Sequence, residues 1–145
     1  MNTSMSNGQS IGQCLCGNVR IKATLSDPKV GACHCDICRT WGGGPLLALD
    51  GGTEVQIEGA DCVTTFASSP WAERAFCSKC GAHLFIRVNQ SGRYILPVGL
   101  FPNRAGLVFD HQIFIERKPD FYSFANETTC MTGDEVFGKH APQST

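Results

Sequence analysis

Polar and apolar residues alternate on a short period along much of the chain. Val19-Arg20-Ile21-Lys22-Ala23 and Val55-Gln56-Ile57-Glu58 show it plainly, and a period of two belongs to a strand with one face buried and one wet. Short runs bounded by Gly, Asp, Asn and Pro extend the set: Val19 to Leu25, Pro45 to Leu49, Glu54 to Glu58, Val63 to Phe66, His83 to Val88, Tyr94 to Val98 and Val108 to Ile115. They predict a mainly β, antiparallel domain whose strands cover a single-sided core. Helix is confined to two short stretches, Asp36 to Trp41 and Thr132 or Asp134 to about Lys139. In the second, Thr132 and Glu135 stand at capping-box spacing. Residues 1–9, rich in Ser, Asn and Gly, and residues 141–145 read as mobile tails. Residues 10–140 are left as a single domain.

Composition narrows the class. A chain of 145 residues, 42% hydrophobic, can bury one modest core. Lys and Arg (12) nearly balance Asp and Glu (13), and no run of like charges occurs, so the electrostatic footprint of a nucleic-acid binder is missing. The first ten residues lack the apolar stretch of a secretory signal, and no apolar run is long enough to cross a bilayer. The expected location is the cytoplasm, with no membrane partner. In that reducing compartment closely spaced cysteines read as metal ligands rather than disulfides. The odd total of nine cysteines also argues against a complete disulfide framework.

Seven of the nine lie in three clusters: Cys14-x-Cys16, Cys33-x-Cys35-x-x-Cys38 and Cys77-x-x-Cys80. Four thiolates complete a structural zinc, whereas three leave a coordination position free. Seven therefore suggests two zinc ions, one site sealed and one open. Gly17 and Gly81 each follow a cysteine pair, and glycine permits the sharp turn that brings two sulfurs to one metal. Two such knuckles could clasp a single ion and cross-link the fold, contributing on the order of 10 kcal/mol, comparable with the net stability of a small domain. The middle triad has no fourth cysteine close by. Its fourth ligand could be His34, Cys62, Cys130, His83, His111 or an exogenous group, although His34 lies between two ligands and its side chain should point away from their metal. Zinc held by three thiolates is a weak Lewis acid that favours a soft thiol over water and keeps the bound sulfur nucleophilic. The residues point to a thiol substrate attacking an electrophile.

Three segments carry a resemblance: Gly12-Gln13-Cys14-Leu15-Cys16-Gly17-Asn18-Val19, Cys33-His34-Cys35-Asp36-Ile37-Cys38-Arg39, and Phe76-Cys77-Ser78-Lys79-Cys80-Gly81-Ala82-His83-Leu84-Phe85. In their order the chain resembles the glutathione-dependent formaldehyde-activating enzyme family, whose domain also occurs in centromere protein V. The resemblance implies a β-tent of several coiled antiparallel sheets. It also implies a structural zinc on Cys14, Cys16, Cys77 and Cys80, and a catalytic zinc on Cys33, Cys35 and Cys38 with glutathione as co-substrate and fourth ligand. The activity implied is that of a carbon–sulfur lyase, S-(hydroxymethyl)glutathione synthase-like, acting on formaldehyde or a similar small electrophile. The rival reading is a non-catalytic, zinc-stabilised binding module. A homodimer stays open.

Other residues carry weaker signals. Arg39 and Arg74 have the planar donor forks that suit the carboxylates of glutathione. Trp41-Gly42-Gly43-Gly44-Pro45 reads either as a pliable loop leaving room for substrate or as a tight crossover. Phe66, Trp71 and Phe76 read as core before pocket wall. His83 and His111 are acid–base candidates. Lys118-Pro119-Asp120-Phe121-Tyr122 is assigned a structural role, and Cys62 and Cys130 read as buried thiols.

Overall fold

Strands form where alternation demands them and in several places where it does not. The computed structural model describes residues 9–102 and 105–140. The fold is mainly β, and its described residues gather into two compact units, one within Met1–Pro28 and Leu49–Gly106 and one within Lys29–Ala48 and Leu107–Thr145.

In the first unit β1 (Gln9–Gln13), β2 (Arg20–Thr24) and β5 (Val55–Glu58) make a three-stranded antiparallel sheet in the order β1-β2-β5. Alternation works as expected in β2, where Ile21 and Ala23 are buried while Arg20 and Thr24 are exposed and Lys22 is half-buried. β1 carries a single apolar aliphatic side chain, Ile11, and is a strand because β2 offers it a hydrogen-bonding edge. Four further strands pair antiparallel in the order β9-β8-β7-β6: β6 (Val63–Ser69), β7 (Ala72–Cys77), β8 (His83–Val88) and β9 (Tyr94–Pro97). Val19, Ile21, Leu49, Leu84, Leu96 and Phe101 are buried in this unit. The aromatic group Phe66, Trp71 and Phe76 is not core: Phe66 is 67% and Trp71 40% exposed. Phe66 lies on β6, which ends the sheet, so its side chain has one neighbouring strand to pack on.

In the second unit β3 (Lys29–Cys33) pairs antiparallel with β4 (Leu46–Gly52), which carries the chain back to the first unit. β10 (Val108–Ile113) pairs parallel with β3 and with β11 (Thr129–Met131). Parallel partners need long connections, and residues 34–107 intervene between β3 and β10. Helix α1 (Asp36–Gly42) follows β3 directly, and α2 (Gly133–His140) follows β11. The capping box before α2 forms reciprocally: Glu135 N–H donates to Thr132 Oγ1 at 3.1 Å and Thr132 N–H to Glu135 Oε1 at 2.8 Å. The mobile tails expected at residues 1–9 and 141–145 lie outside the described residues, apart from Gln9, which opens β1.

Candidate metal centres

The first cysteine pair opens the turn from β1 to β2 and the second occupies the turn from β7 to β8, and the two turns are built alike. Cys14 N–H donates to Val19 O at 3.1 Å, and Gly17 N–H returns to Cys14 O at 3.1 Å. In the second turn Cys77 N–H donates to Ala82 O at 2.9 Å and Gly81 N–H to Cys77 O at 2.8 Å. Both glycines adopt φ of 80°, the left-handed region that L side chains avoid. The Sγ atoms of Cys14, Cys16, Cys77 and Cys80 all lie within 4.8 Å of one another. Cys14 Sγ is 3.6 Å from Cys16 Sγ, which is 3.7 Å from Cys77 Sγ. Sulfurs at the corners of a tetrahedron about 2.3 Å from its centre would be about 3.8 Å apart, so the four fit a zinc ion.

Hydrogen bonds converge on these sulfurs from Val19 N–H (3.4 Å, to Cys14), Asn18 Nδ2 (3.2 Å, to Cys16) and Lys79 N–H (3.4 Å, to Cys77). Donors of this kind favour thiolate. Hydrogen bonding from the Ala82 backbone holds Cys80 down at about 6, whereas burial pushes Cys77 up to about 11. A bound dication would let both ionise.

The second cluster forms where β3 runs into α1. Cys33 is the last residue of β3, Cys35 is the N-cap of α1, and Cys38 is buried in the first turn of that helix. The i to i+3 spacing of Cys35 and Cys38 puts them on one side of the helix, and Cys38 N–H donates to Cys35 Sγ at 3.4 Å. All three sulfurs lie within 4.8 Å of one another. The Cys33 thiol is pushed far up by its hydrogen bonds to Cys35 and Cys38 and by burial. Three sulfurs so close cannot all carry charge without a cation between them, so this donor set also fits a zinc ion. Among the described residues no other Cys, His, Asp or Glu donor joins either cluster.

The remaining sequence-predicted residues are placed as follows. His34 is fully buried, and its ring nitrogens face Tyr122 Oη and Gln112 Oε1, each at 2.8 Å. Burial lowers its pKa; the hydrogen bond to Gln112 opposes this, and the charges of Lys118 and Arg39 add to it. Arg39 donates through Nε to His34 O at 2.9 Å and through Nη2 to Asp36 at 2.6 Å. Arg74 is buried on β7, its Nε 3.2 Å from Ser68 Oγ. His111 Nδ1 meets Asp110 at 3.0 Å, and its ring covers Gly31 on β3, where an added Cβ would come within 2.2 Å of Nε2. His83 lines an open cleft of about 570 Å³ with Gln13, Leu15, Pro97 and Leu100 in the first unit. Cys130 is exposed and Cys62 half-buried, so neither is the buried thiol expected: β11 is a three-residue strand at the end of its sheet and leaves Cys130 uncovered. Sequence reasoning missed Gln112 and gave Tyr122 only a structural role, without linking either to His34; they sit 78 and 88 residues from the histidine they hold.

Residues 9–117 match the glutathione-dependent formaldehyde-activating enzyme family. The chain belongs to this family. A relative in Schizosaccharomyces pombe, described as an uncharacterized lyase, is 39% identical over 126 residues, covering 86% of this chain and 92% of that protein. A solved structure of a Rhodobacter sphaeroides protein shares the fold, with a TM-score of 0.56 at 23% identity, over 64% of this chain and 88% of its own. Within the family frame the seven clustered cysteines fall into a group of four and a group of three, each with its sulfurs drawn together.

Proposed function

We propose that the chain is a zinc-dependent carbon–sulfur lyase of the glutathione-dependent formaldehyde-activating family. The observation that carries this reading is the triad of Cys33, Cys35 and Cys38, three converged sulfurs joined by no fourth donor among the described residues. In this reading Cys14, Cys16, Cys77 and Cys80 hold a structural zinc. Cys33, Cys35 and Cys38 would hold a second zinc, which would supply a site for the sulfur of glutathione. That ion, when bound, lowers the pKa of a thiol and keeps its sulfur in place.

The sulfur of glutathione adds to the carbonyl carbon of formaldehyde or a similar small electrophile. A carbon–sulfur bond forms, the carbonyl π pair moves to oxygen, and that oxygen takes up the proton given up by the thiol, which with formaldehyde gives S-hydroxymethylglutathione; the reverse is the lyase reaction. The glycine run at the end of α1 supports room for a peptide-like thiol, since a Cβ at Gly42, Gly43 or Gly44 would meet nothing within 4 Å. Arg39, one residue past Cys38, is the stronger candidate for a glutathione carboxylate because it is part-exposed beside the triad; buried Arg74 is the weaker. Nine cysteines, none of them in a disulfide, suit a reducing compartment such as the cytoplasm.

The test is exchange between glutathione and formaldehyde followed by NMR, with Cys35→Ser against the native chain. The variant is expected to lose the enzymatic acceleration while staying folded with one zinc retained. Undiminished acceleration in Cys35→Ser would remove the triad from the mechanism. Two zincs with no acceleration by the native chain would favour a binding module.

A further inference from the structure

The proposed reaction gives His34 nothing to do, yet this residue sits between two ligands and is 0% exposed. Each of its polar groups is engaged. Its N–H donates to Ile113 O at 3.1 Å and its carbonyl accepts from Arg39 Nε at 2.9 Å. Ring Nε2 is 2.8 Å from Gln112 Oε1 and ring Nδ1 is 2.8 Å from Tyr122 Oη. The placed atoms set the donors and acceptors. Gln112 Nε2 donates to Thr128 Oγ1 at 2.8 Å and the amide oxygen faces His34, where an oxygen can only accept. Nε2 therefore carries the ring proton. Nδ1 faces the Tyr122 hydroxyl, a group able to donate to it.

Tyr122 is itself held. Lys118 Nζ donates to Tyr122 O at 2.5 Å, to Pro119 O at 3.1 Å and to Ser123 Oγ at 3.2 Å, and it lies 5.2 Å from the Tyr122 ring centroid. A continuous chain of contacts thus runs from Lys118 through Tyr122, His34 and Gln112 to Thr128. All of it lies within the second unit, and it passes through the residue flanked by Cys33 and Cys35.

We propose that His34 is a positioning residue: an Nε2-protonated imidazole that, pinned by Gln112 and Tyr122, holds the Cys33–Cys35 arm so that the triad's sulfurs converge before a metal arrives. The inference rests on reading the triad as a metal site. Groups that orient metal ligands typically contribute 10- to 100-fold to affinity. The segment Lys118 to Tyr122 is then part of the site's construction as well as of the fold.

Cobalt titration of the full chain with chelator competition tests this, with Cys35→Ser identifying which binding event belongs to the triad. Tyr122→Phe removes one oxygen and Gln112→Ala removes the acceptor; each is expected to weaken cobalt at the triad by about 10- to 100-fold while the four-cysteine site, an internal control for folding, is unchanged. Gln112→Glu keeps an acceptor for the ring proton and should recover most of the loss. Long-range 15N–1H NMR of the native chain should show a pyrrole-type Nε2 and a pyridine-type Nδ1 in His34. Two cobalt ions bound by the native chain, with triad affinity unmoved in both variants or with the opposite tautomer, overturn the positioning role alone. A native chain that binds one cobalt, indifferent to Cys35→Ser, overturns that role and the proposed function together.

Discussion

If the two cysteine knuckles share one ion, they cross-link residues far apart in sequence, and that has a calculable effect. Cys16 and Cys77 have sulfurs 3.7 Å apart and are separated by 61 positions. Replacing the whole second arm, Cys77→Ser with Cys80→Ser, removes a cross-link that, while zinc stays bound to both arms, would close that loop in the unfolded chain as a disulfide does. The entropy relation for a cross-link of this length gives about 4 kcal/mol at 25 °C. The same relation applied to the span from Cys33 to Cys38 gives about 2 kcal/mol, because the triad closes only a few residues. With zinc in excess, the double variant should therefore lose at least about 4 kcal/mol, a large fraction of the 5–15 kcal/mol typical of a domain. Cys33→Ser with Cys38→Ser should lose about half as much. Urea unfolding followed by tryptophan fluorescence reads both; at a slope near 2 kcal/mol/M the first loss moves the midpoint by roughly 2 M. A loss below about 1 kcal/mol in the Cys77/Cys80 variant, or a larger loss from the triad variant, would refute the cross-link.

Three further outcomes are expected. Gly59 has φ of 84°, and an added Cβ would fall 1.9 Å from Asn18 O, so Gly59→Ala should cost about 2–4 kcal/mol by calorimetry and weaken cobalt at the four-cysteine site, since Asn18 donates to Cys16 Sγ; normal cobalt affinity would uncouple that turn from the sulfurs. Leu96 is 0% exposed, and Leu96→Ala should lose about 2–5 kcal/mol in a denaturant melt, a smaller loss meaning that the first unit collapses around the gap. Burial, then Arg74, lower the His83 pKa below the ordinary 6.5, so just below pH 6.5 the unfolded chain binds more protons than the folded one. That contribution is complete above pH 6.5 and lost as pH falls toward the folded pKa; His83→Gln should flatten the dependence of urea midpoints on pH in that window, and an unchanged slope would count against a neutral, half-buried His83.

What could be read from residues alone was local. The period of two in Arg20–Thr24, the capping box of Thr132 and Glu135, and the glycine after each cysteine pair concern neighbours within a few positions, where backbone sterics and side-chain reach dictate the outcome. The division of seven cysteines into four and three was legible for the same kind of reason: metal chemistry restricts how many thiolates close a site. Strands without an alternating pattern were not legible. β1 has one apolar aliphatic residue, and β7 buries Arg74 beside Ala75, so both exist because partner strands supply their hydrogen bonds. The parallel pairing of β10 with β3 and β11, the exposure of Phe66, Trp71 and Cys130, and the grip of Gln112 and Tyr122 on His34 were decided by tertiary structure. Each depends on which distant strand or segment comes alongside, and that choice belongs to the packing of the whole unit rather than to any short stretch of chain.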